Sequence, residues 1–370
     1  MAAAHQGVPT PGDNTTSDEG SSLEPLRQGQ PADISHESTS QAKKLTQYMA
    51  TLFVTLGAMA VGTVLAWTSP TLPELQSANS TLPITPEEGS WISSLVAVGA
   101  IVGAVPAGYF AERFGRKLVI LALSAPFLLS WVLIVAANSV VLLYLARFIA
   151  GIATGAVSVV APMFIGEIAE SSIRGALGSF FQVMLTVGIL YTYIIGAVAG
   201  YTWLGTLSGA IPVALFITFS RVPESPTYLM KKCRTEDAKK SLKFYRGSSY
   251  NFWKELQELE KDISESTQEK ASIKDLVSSR GTKKALVISL GLMVFQQLSG
   301  INAVIFYSVD IFDAAGSTLD PKVSAIIVGV VQVVVVISST LTPNEDYLTP
   351  GALPWSEDFP QDTCSKGIVA

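Results

Sequence analysis

The chain has 370 residues, 49% of them hydrophobic and only 15% charged, with a mean hydropathy of +0.40. A soluble domain usually carries about a quarter charged residues, so this balance excludes an ordinary soluble globule and points to a polytopic membrane protein. The net charge of −5 says little, because the distribution of charge along the chain carries the information.

Residues 1–45 are polar and rich in Ser, Thr, Gln, Gly and Pro, too poor in apolar surface to fold, and read as a disordered cytosolic tail with no cleavable signal peptide. Eight segments near the roughly 20 residues a bilayer requires then follow, at 48–67, 91–111, 118–137, 141–166, 176–199, 202–220, 285–308 and 323–341. Arg147 is the one Lys, Arg, Asp or Glu well inside any of them. Lys43 and Lys44 precede the first span; Arg113, Arg116 and Lys117 lie between the second and third, and Arg174 between the fourth and fifth. Fifteen Lys and Arg fall between Arg221 and Lys284, whereas the opposite loops offer only Lys322. The positive-inside rule therefore places both termini in the cytosol. Asn79-Ser80-Thr81, in the first outer loop, is an acceptor for N-glycosylation on the correct side. Cys233 and Cys364 both fall on the cytosolic side, which argues against a disulfide framework.

The segment after the sixth span, 223–284, reads as amphipathic helices lying beneath a bundle. Thr235 serves as an N-cap with Glu236 and Asp237 in the first turn, and Gly247 closes that helix. Phe252, Leu256, Leu259 and Ile263 then recur at helical spacing. The seventh span, ALVISLGLMVFQQLSGINAVIFYS, holds Gln296, Gln297 and Asn302 without a single charge. Three amides at bilayer depth need hydrogen-bond partners, supplied either by a neighbouring helix or by a polar ligand. Gln296 and Asn302 stand six residues apart, about 120° round a continuous helix, and would line one broad cavity face. His5 and His36 both lie in the tail, and no nucleophile–base pair or metal-ligand cluster is visible, so neither an enzyme nor a cofactor is implied.

The loop Gly108-Tyr-Phe-Ala-Glu112-Arg113-Phe-Gly115-Arg116-Lys117 resembles the signature between the second and third spans of the major facilitator superfamily. Four further stretches resemble its sugar-porter family: Arg147-Phe-Ile-Ala-Gly151 to Gly155 running on to Glu167; Ile173-Arg174-Gly175; Pro223-Glu224-Ser225-Pro226-Thr227-Tyr228-Leu229, with Thr227 where the family usually has Arg; and Gln296-Gln297-Leu-Ser-Gly-Ile-Asn302 with Phe306-Tyr307. Over residues 46–341 the family assignment rests on all five together.

The resemblance implies an all-α major facilitator-type bundle with about 8 of the usual 12 membrane helices. Residues 46–222 would form the first six-helix bundle and 285–341 the first two helices of the second. It implies facilitated movement of a neutral sugar, trehalose or a hexose such as glucose, across the plasma membrane by alternating access. Matching sugar contacts are Gln182, Gln296, Gln297, Asn302 and Gln332, the last where the family often has Asn; interhelical hydrogen bonding is the competing role for Gln182 and Gln332. Gly300 would let the seventh span break, Phe306 and Tyr307 would form an outer gate, and Glu112, Arg113, Arg116, Glu167, Arg174 and Glu224 would form a cytosolic ion-pair cluster. Proton-coupled members carry an Asp in the first span, where this chain has Gly62-Thr63-Val64, so a uniporter is favoured over a symporter. After Leu341 the family pattern gives way to a Pro-rich, acidic stretch, 342–370, read as an unstructured, divergent tail. A C-terminally truncated, non-transporting isoform that modulates a full-length transporter is the alternative reading.

Overall fold

The computed structural model describes residues 44–78, 80–247, 250–268 and 280–341. Asn79, Cys364, the tail before Lys44 and the segment after Leu341 lie outside them, as do residues 248–249 and 269–279 of the expected linker.

All regular structure among the described residues is helical, and eight spans are long and apolar enough to cross a membrane. The first consists of α1 (Lys44–Ala66) and α2 (Thr68–Gln76), divided at the fully buried Trp67. Pro70 and Pro73, which lack the amide hydrogen a helix interior needs, follow the division. Next come α3 (Pro86–Phe114), α4 (Arg116–Val135), α5 (Val140–Ile168), α6 (Arg174–Val198) and α7 (Tyr201–Phe219). The start of α3 is a capping box: the Thr85 hydroxyl accepts from the Glu88 amide at 3.3 Å, and the Glu88 carboxylate accepts from the Thr85 amide at 2.8 Å.

The core of these spans is built on close approach. A Cβ at Gly155 would stand 2.0 Å from the carbonyl oxygen of Ala100, and one at Gly151 2.3 Å from that of Val96, so the backbones of α3 and α5 touch where the sequence offers only hydrogen as a side chain. Arg147 leaves α5 in the same region, fully buried. Its Nη1 donates to the Val64 carbonyl of α1 at 2.8 Å and its Nε to the Ile92 carbonyl of α3 at 3.2 Å, while the guanidinium lies 5.1 Å from the centre of the Trp67 ring. This buried charge thereby ties three spans together through backbone carbonyls.

Beneath one end of the bundle lie α8 (Pro226–Lys231), α9 (Thr235–Arg246) and α10 (Phe252–Gln268). Thr235 is the first helical residue of α9, and the cap position is Arg234, which makes no side-chain cap bond; the expected Thr235 cap is corrected accordingly. Gly247, with φ of 95°, does close the helix. Leu242 and Tyr245 of α9 and Leu256 of α10 are buried. Arg246, nearly inaccessible, pairs with Glu255 at 2.6 Å and donates to the Ile168 carbonyl at the end of α5, 2.8 Å away. The amphipathic pair is therefore bolted to the bundle.

The remaining helices are α11 (Arg280–Leu298), α12 (Ile301–Ala314) and α13 (Pro321–Leu341). We call the end of the molecule bearing Gly115, Ile168 and α8–α10 the basic face, and the end bearing α2 the far face.

Replacing Gly155 by Val will force α3 from α5 and cost about 1–3 kcal/mol, seen as a lower melting temperature of the purified chain in detergent. Gly175→Val, with no atom within 4 Å of its added Cβ, will leave the melt close to wild type, and equal loss in both variants would refute the close-packing account.

Candidate functional site

The seventh span is two helices. α11 ends at Leu298, Gly300 adopts φ of 74°, which a side-chain-bearing residue rarely takes, and α12 starts at Ile301. Gln296 and Gln297 therefore end one helix while Asn302 begins another, so the angle between them on a continuous helix does not apply. Across the break the Asn302 amide donates to Gln297 Oε1 at 3.1 Å, and Ser299 Oγ donates to the Gln296 carbonyl at 2.6 Å. Gln296, Gln297 and Asn302 are all exposed, and from Val287 to Ser299 only Gly291 is even half-buried. Gln182 is likewise exposed on α6. Gln332 sits half-buried on α13, which packs along α6, and its Oε1 is enclosed without a hydrogen-bond partner. Of these five amides, Gln297 and Asn302 are the pair brought into contact.

Towards the far face α12 docks on the first six spans. Its backbone leaves helical geometry at Tyr307 (φ −126°, ψ 22°). Beside this kink the Tyr193 hydroxyl of α6 donates to the Ile305 carbonyl at 3.0 Å and lies 3.2 Å from Ser308 Oγ, and Ser69 Oγ of α2 accepts from the Val309 amide at 3.2 Å. Ile305 and Val309 are buried with Ala66, Ile189, Tyr193 and Ala325, and Phe306 packs on the same cluster. Tyr307 packs instead against the main core. Sequence reasoning singled out Phe306 and Tyr307 but missed Tyr193, Ser69 and Ser308. The available signal was a hydroxyl-bearing Tyr193 in an apolar span, which must find a partner when buried.

At the basic face, α3 turns into α4 on one residue. Gly115 has φ of 102°, and a Cβ there would stand 2.3 Å from Glu224 Oε2. Arg116, 1% exposed, donates to Glu167 Oε1 from Nη2 at 2.8 Å and from Nε at 3.0 Å, donates to the Ala111 carbonyl at 3.2 Å, and lies 5.1 Å from the Tyr228 ring centre. The second Glu167 oxygen accepts from Ser225 Oγ. Glu224 accepts from the Lys117 amide, 3.1 Å from each of its oxygens, and from the Ser225 amide at 2.9 Å, placing a carboxylate at the N-terminus of α4. Burial pushes the Glu224 carboxyl above the ordinary range, opposed by these two amides and by Arg116. The Tyr228 hydroxyl closes the group by donating to the Arg113 carbonyl at 3.3 Å.

Three of the six charges named from sequence thus meet: Arg116, Glu167 and Glu224. The other three make different contacts or none that joins them to the group. Arg113 is exposed and donates to the Tyr109 hydroxyl one turn back, 2.9 Å away; Arg174 donates to the Ala169 carbonyl at 3.4 Å; Glu112 is exposed. Every partner in the knot comes from residues 111–228, so among the described residues it ties the first six spans to the segment after them and does not reach α11–α13.

Two measurements probe these contacts. With Cys233 and Cys364 replaced by Ser, Tyr193→Phe will raise the rate of maleimide labelling at Phe306→Cys about fivefold, the equivalent of the roughly 1 kcal/mol a hydrogen bond contributes; an unchanged rate rejects the Tyr193 contact. A carboxyl whose folded pKa is raised holds its proton more tightly folded than unfolded, so stability must fall as pH rises through the window just above the ordinary carboxylate range. The melting temperature of the wild type will drop across that window relative to Glu224→Gln, and parallel curves would remove the assignment.

A model of the "Sugar (and other) transporter" family matches residues 50–343. The facilitated trehalose transporter Tret1 of Bombyx mori is 37% identical over 307 residues, covering 83% of this chain and 60% of the relative. Tret1 of Polypedilum vanderplanki is 36% identical over 302 residues, again covering 60% of the relative, and Tret1 of Drosophila mojavensis is 38% identical over 298 residues and 34% of its length. The chain thus spans 60% or less of these relatives' own lengths. Among solved structures it resembles the major facilitator superfamily proton:xylose symporter XylE bound to 6-bromo-6-deoxy-D-glucose, with a TM-score of 0.70 and 24% identity over 80% of this chain and 69% of that one. The partially occluded, inward-open conformation of the E. coli xylose transporter XylE matches with a TM-score of 0.63 at the same identity, over 80% of this chain and 72% of that one. At this identity the likeness establishes the fold, a major facilitator-type bundle. With eight spans of this fold and a family match over most of its length, the chain is a multi-pass membrane protein and belongs to the sugar (and other) transporter family.

Proposed function

We propose that this chain takes part in the facilitated passage of a neutral sugar, with trehalose the first candidate, by alternating exposure of a central amide-lined site. The observation that carries the reading is the broken seventh span. Gly300 interrupts the helix at bilayer depth and leaves Gln296, Gln297 and Asn302 exposed together, which lipid alone would make unfavourable. Amides both donate and accept, as sugar hydroxyls do, and carry no charge to be stripped of water. On this reading Gln182 and Gln332, whose Oε1 is enclosed without a partner, belong to the same site. The name of the Tret1 relatives supports the sugar and the facilitated mode.

The basic face is cytosolic on this reading, and the membrane is the plasma membrane. The contact of Tyr193, Ser69 and Ile305 holds the outer side closed, with Phe306 and Tyr307 as its gate. Arg147 donates from Nε and Nη1 to the carbonyls of Ile92 and Val64, and its Nη2 is buried without a partner; no carboxylate faces it among the described residues. That supports a uniporter, although XylE, whose solved structure this chain resembles, is a proton:xylose symporter.

Vesicles containing only this chain will take up radiolabelled trehalose or glucose saturably and regardless of a pH gradient, and Gln296→Ala will abolish uptake. A flat response in wild type would sink transport by this chain alone and favour a role beside a full-length transporter. Uptake that follows the pH gradient would make it a symporter.

A further inference from the structure

On the flank of the first six spans, α4 and α7 border a groove of about 800 Å³ that the sugar site does not use. Leu118, Leu121, Leu128, Val213 and Phe216 form its apolar walls, and Lys117, Glu224 and Arg234 stand at its mouth on the basic face. Leu118 is 57% exposed and Phe216 53%, so the groove opens sideways, where a bilayer would lie. From Lys117 to Leu128 it follows α4 for eleven residues, about 16 Å at 1.5 Å per residue. That is about half of the roughly 30 Å hydrocarbon core, the depth of one leaflet.

Two further observations select the occupant. Ser124 lines the groove two turns below the mouth; it is 6% exposed, and its hydroxyl has no hydrogen-bond partner. A buried hydroxyl without an acceptor is costly, and the ester carbonyls of a glycerophospholipid are the strong acceptors that such a lipid carries below its phosphate. The mouth is also basic. Residues 221–240 hold Arg221, Lys231, Lys232, Arg234, Lys239 and Lys240 against Glu224, Glu236 and Asp237. Glu224 is turned inward onto the Lys117 and Ser225 amides, and Arg234, although paired with Asp237 at 2.7 Å, has a side chain 60% exposed. Surface cations of this kind attract the anionic lipids of a cytoplasmic leaflet.

We propose that this groove seats one anionic glycerophospholipid, its phosphate at Lys117 and Arg234, an ester carbonyl accepting from Ser124, and an acyl chain along Leu121, Leu128 and Phe216. Because Glu224 and Tyr228 line the groove and also belong to the knot at Gly115, the bound headgroup presses on the contact that joins α3, α4, α5 and α8.

The test is native mass spectrometry of the purified full chain, incubated with equal amounts of phosphatidylglycerol, phosphatidylethanolamine and phosphatidylcholine of identical acyl chains. Phosphatidylglycerol will be retained about fivefold over the other two, the discrimination one net surface cation gives. Arg234→Gln with Lys117→Gln will bring that ratio near one while total lipid retention persists. Val213→Trp, at a site 40% exposed that tolerates bulk, will fill the groove and lower retention of all three, and Ser124→Ala will lower retention without changing the ratio. Equal retention by wild type, retention of phosphatidylethanolamine or phosphatidylcholine ahead of phosphatidylglycerol, or a Val213→Trp chain that binds as wild type, overturns the proposal. So does a melting-temperature rise with glycerol phosphate equal to that with the lipid, which would make the site one for a soluble phosphate.

Discussion

Hydrocarbon offers no hydrogen bonds, so every polar group carried to bilayer depth must be answered from within the protein or by what the protein binds. Arg147 states the constraint most sharply. The fully buried guanidinium at the eighth residue of α5 donates to the carbonyls of Val64 and Ile92 and lies over the face of Trp67. Those partners can be reached only because α3 and α5 approach to backbone contact at Gly151 and Gly155. The glycines therefore serve the charge as much as the packing, and the charge in turn fixes the ends of α1 and α3 relative to α5.

The same constraint gives the two ends of the molecule different characters. At the far face the hydrogen bonds are neutral: the Tyr193 hydroxyl, the Ser69 hydroxyl and the backbone around the kink at Tyr307. Such bonds contribute about 1 kcal/mol each, which suits a contact that forms and breaks. At the basic face the bonds are charge-assisted and shared. Arg116 is 1% exposed, Glu167 serves both Arg116 and Ser225, and Glu224 caps α4 at the position where Gly115 leaves room for its carboxylate. Breaking that group would leave a buried charge unpaired, a far larger cost. The knot therefore binds the first six spans to the segment after them, and none of its bonds reaches α11–α13.

Sequence revealed the spans because a bilayer crossing needs about 20 apolar residues whatever its neighbours do, and it revealed the break at Gly300 because a glycine between amides in an apolar helix has few other uses. It also gave the residue types of the knot. It did not give the pairing. Arg113 and Arg116 are three residues apart in one loop, yet Arg116 points into the protein and Arg113 turns back to Tyr109 on its own helix. That choice depends on the direction in which Gly115 reverses the chain, which no local pattern encodes. Tyr193 was hidden for a similar reason: its partner is a backbone carbonyl 112 residues away, and a carbonyl has no sequence identity.

The exposed amides of α11 and the orphaned Ser124 hydroxyl pose one question at two sites: what meets a polar group that the described helices leave unmet. For Gln296, Gln297 and Asn302 the cluster is broad, uncharged, and set at a helix break that opens space, which favours a ligand rich in hydroxyls. For Ser124 the surroundings are a narrow apolar groove with cations at one end, which favours a ligand with a long hydrocarbon, an ester carbonyl and a phosphate. The polar atom alone would not separate a sugar from a lipid. The shape and charge of the surrounding residues separate the two proposals, the amides lying on the seventh span and Ser124 on the third.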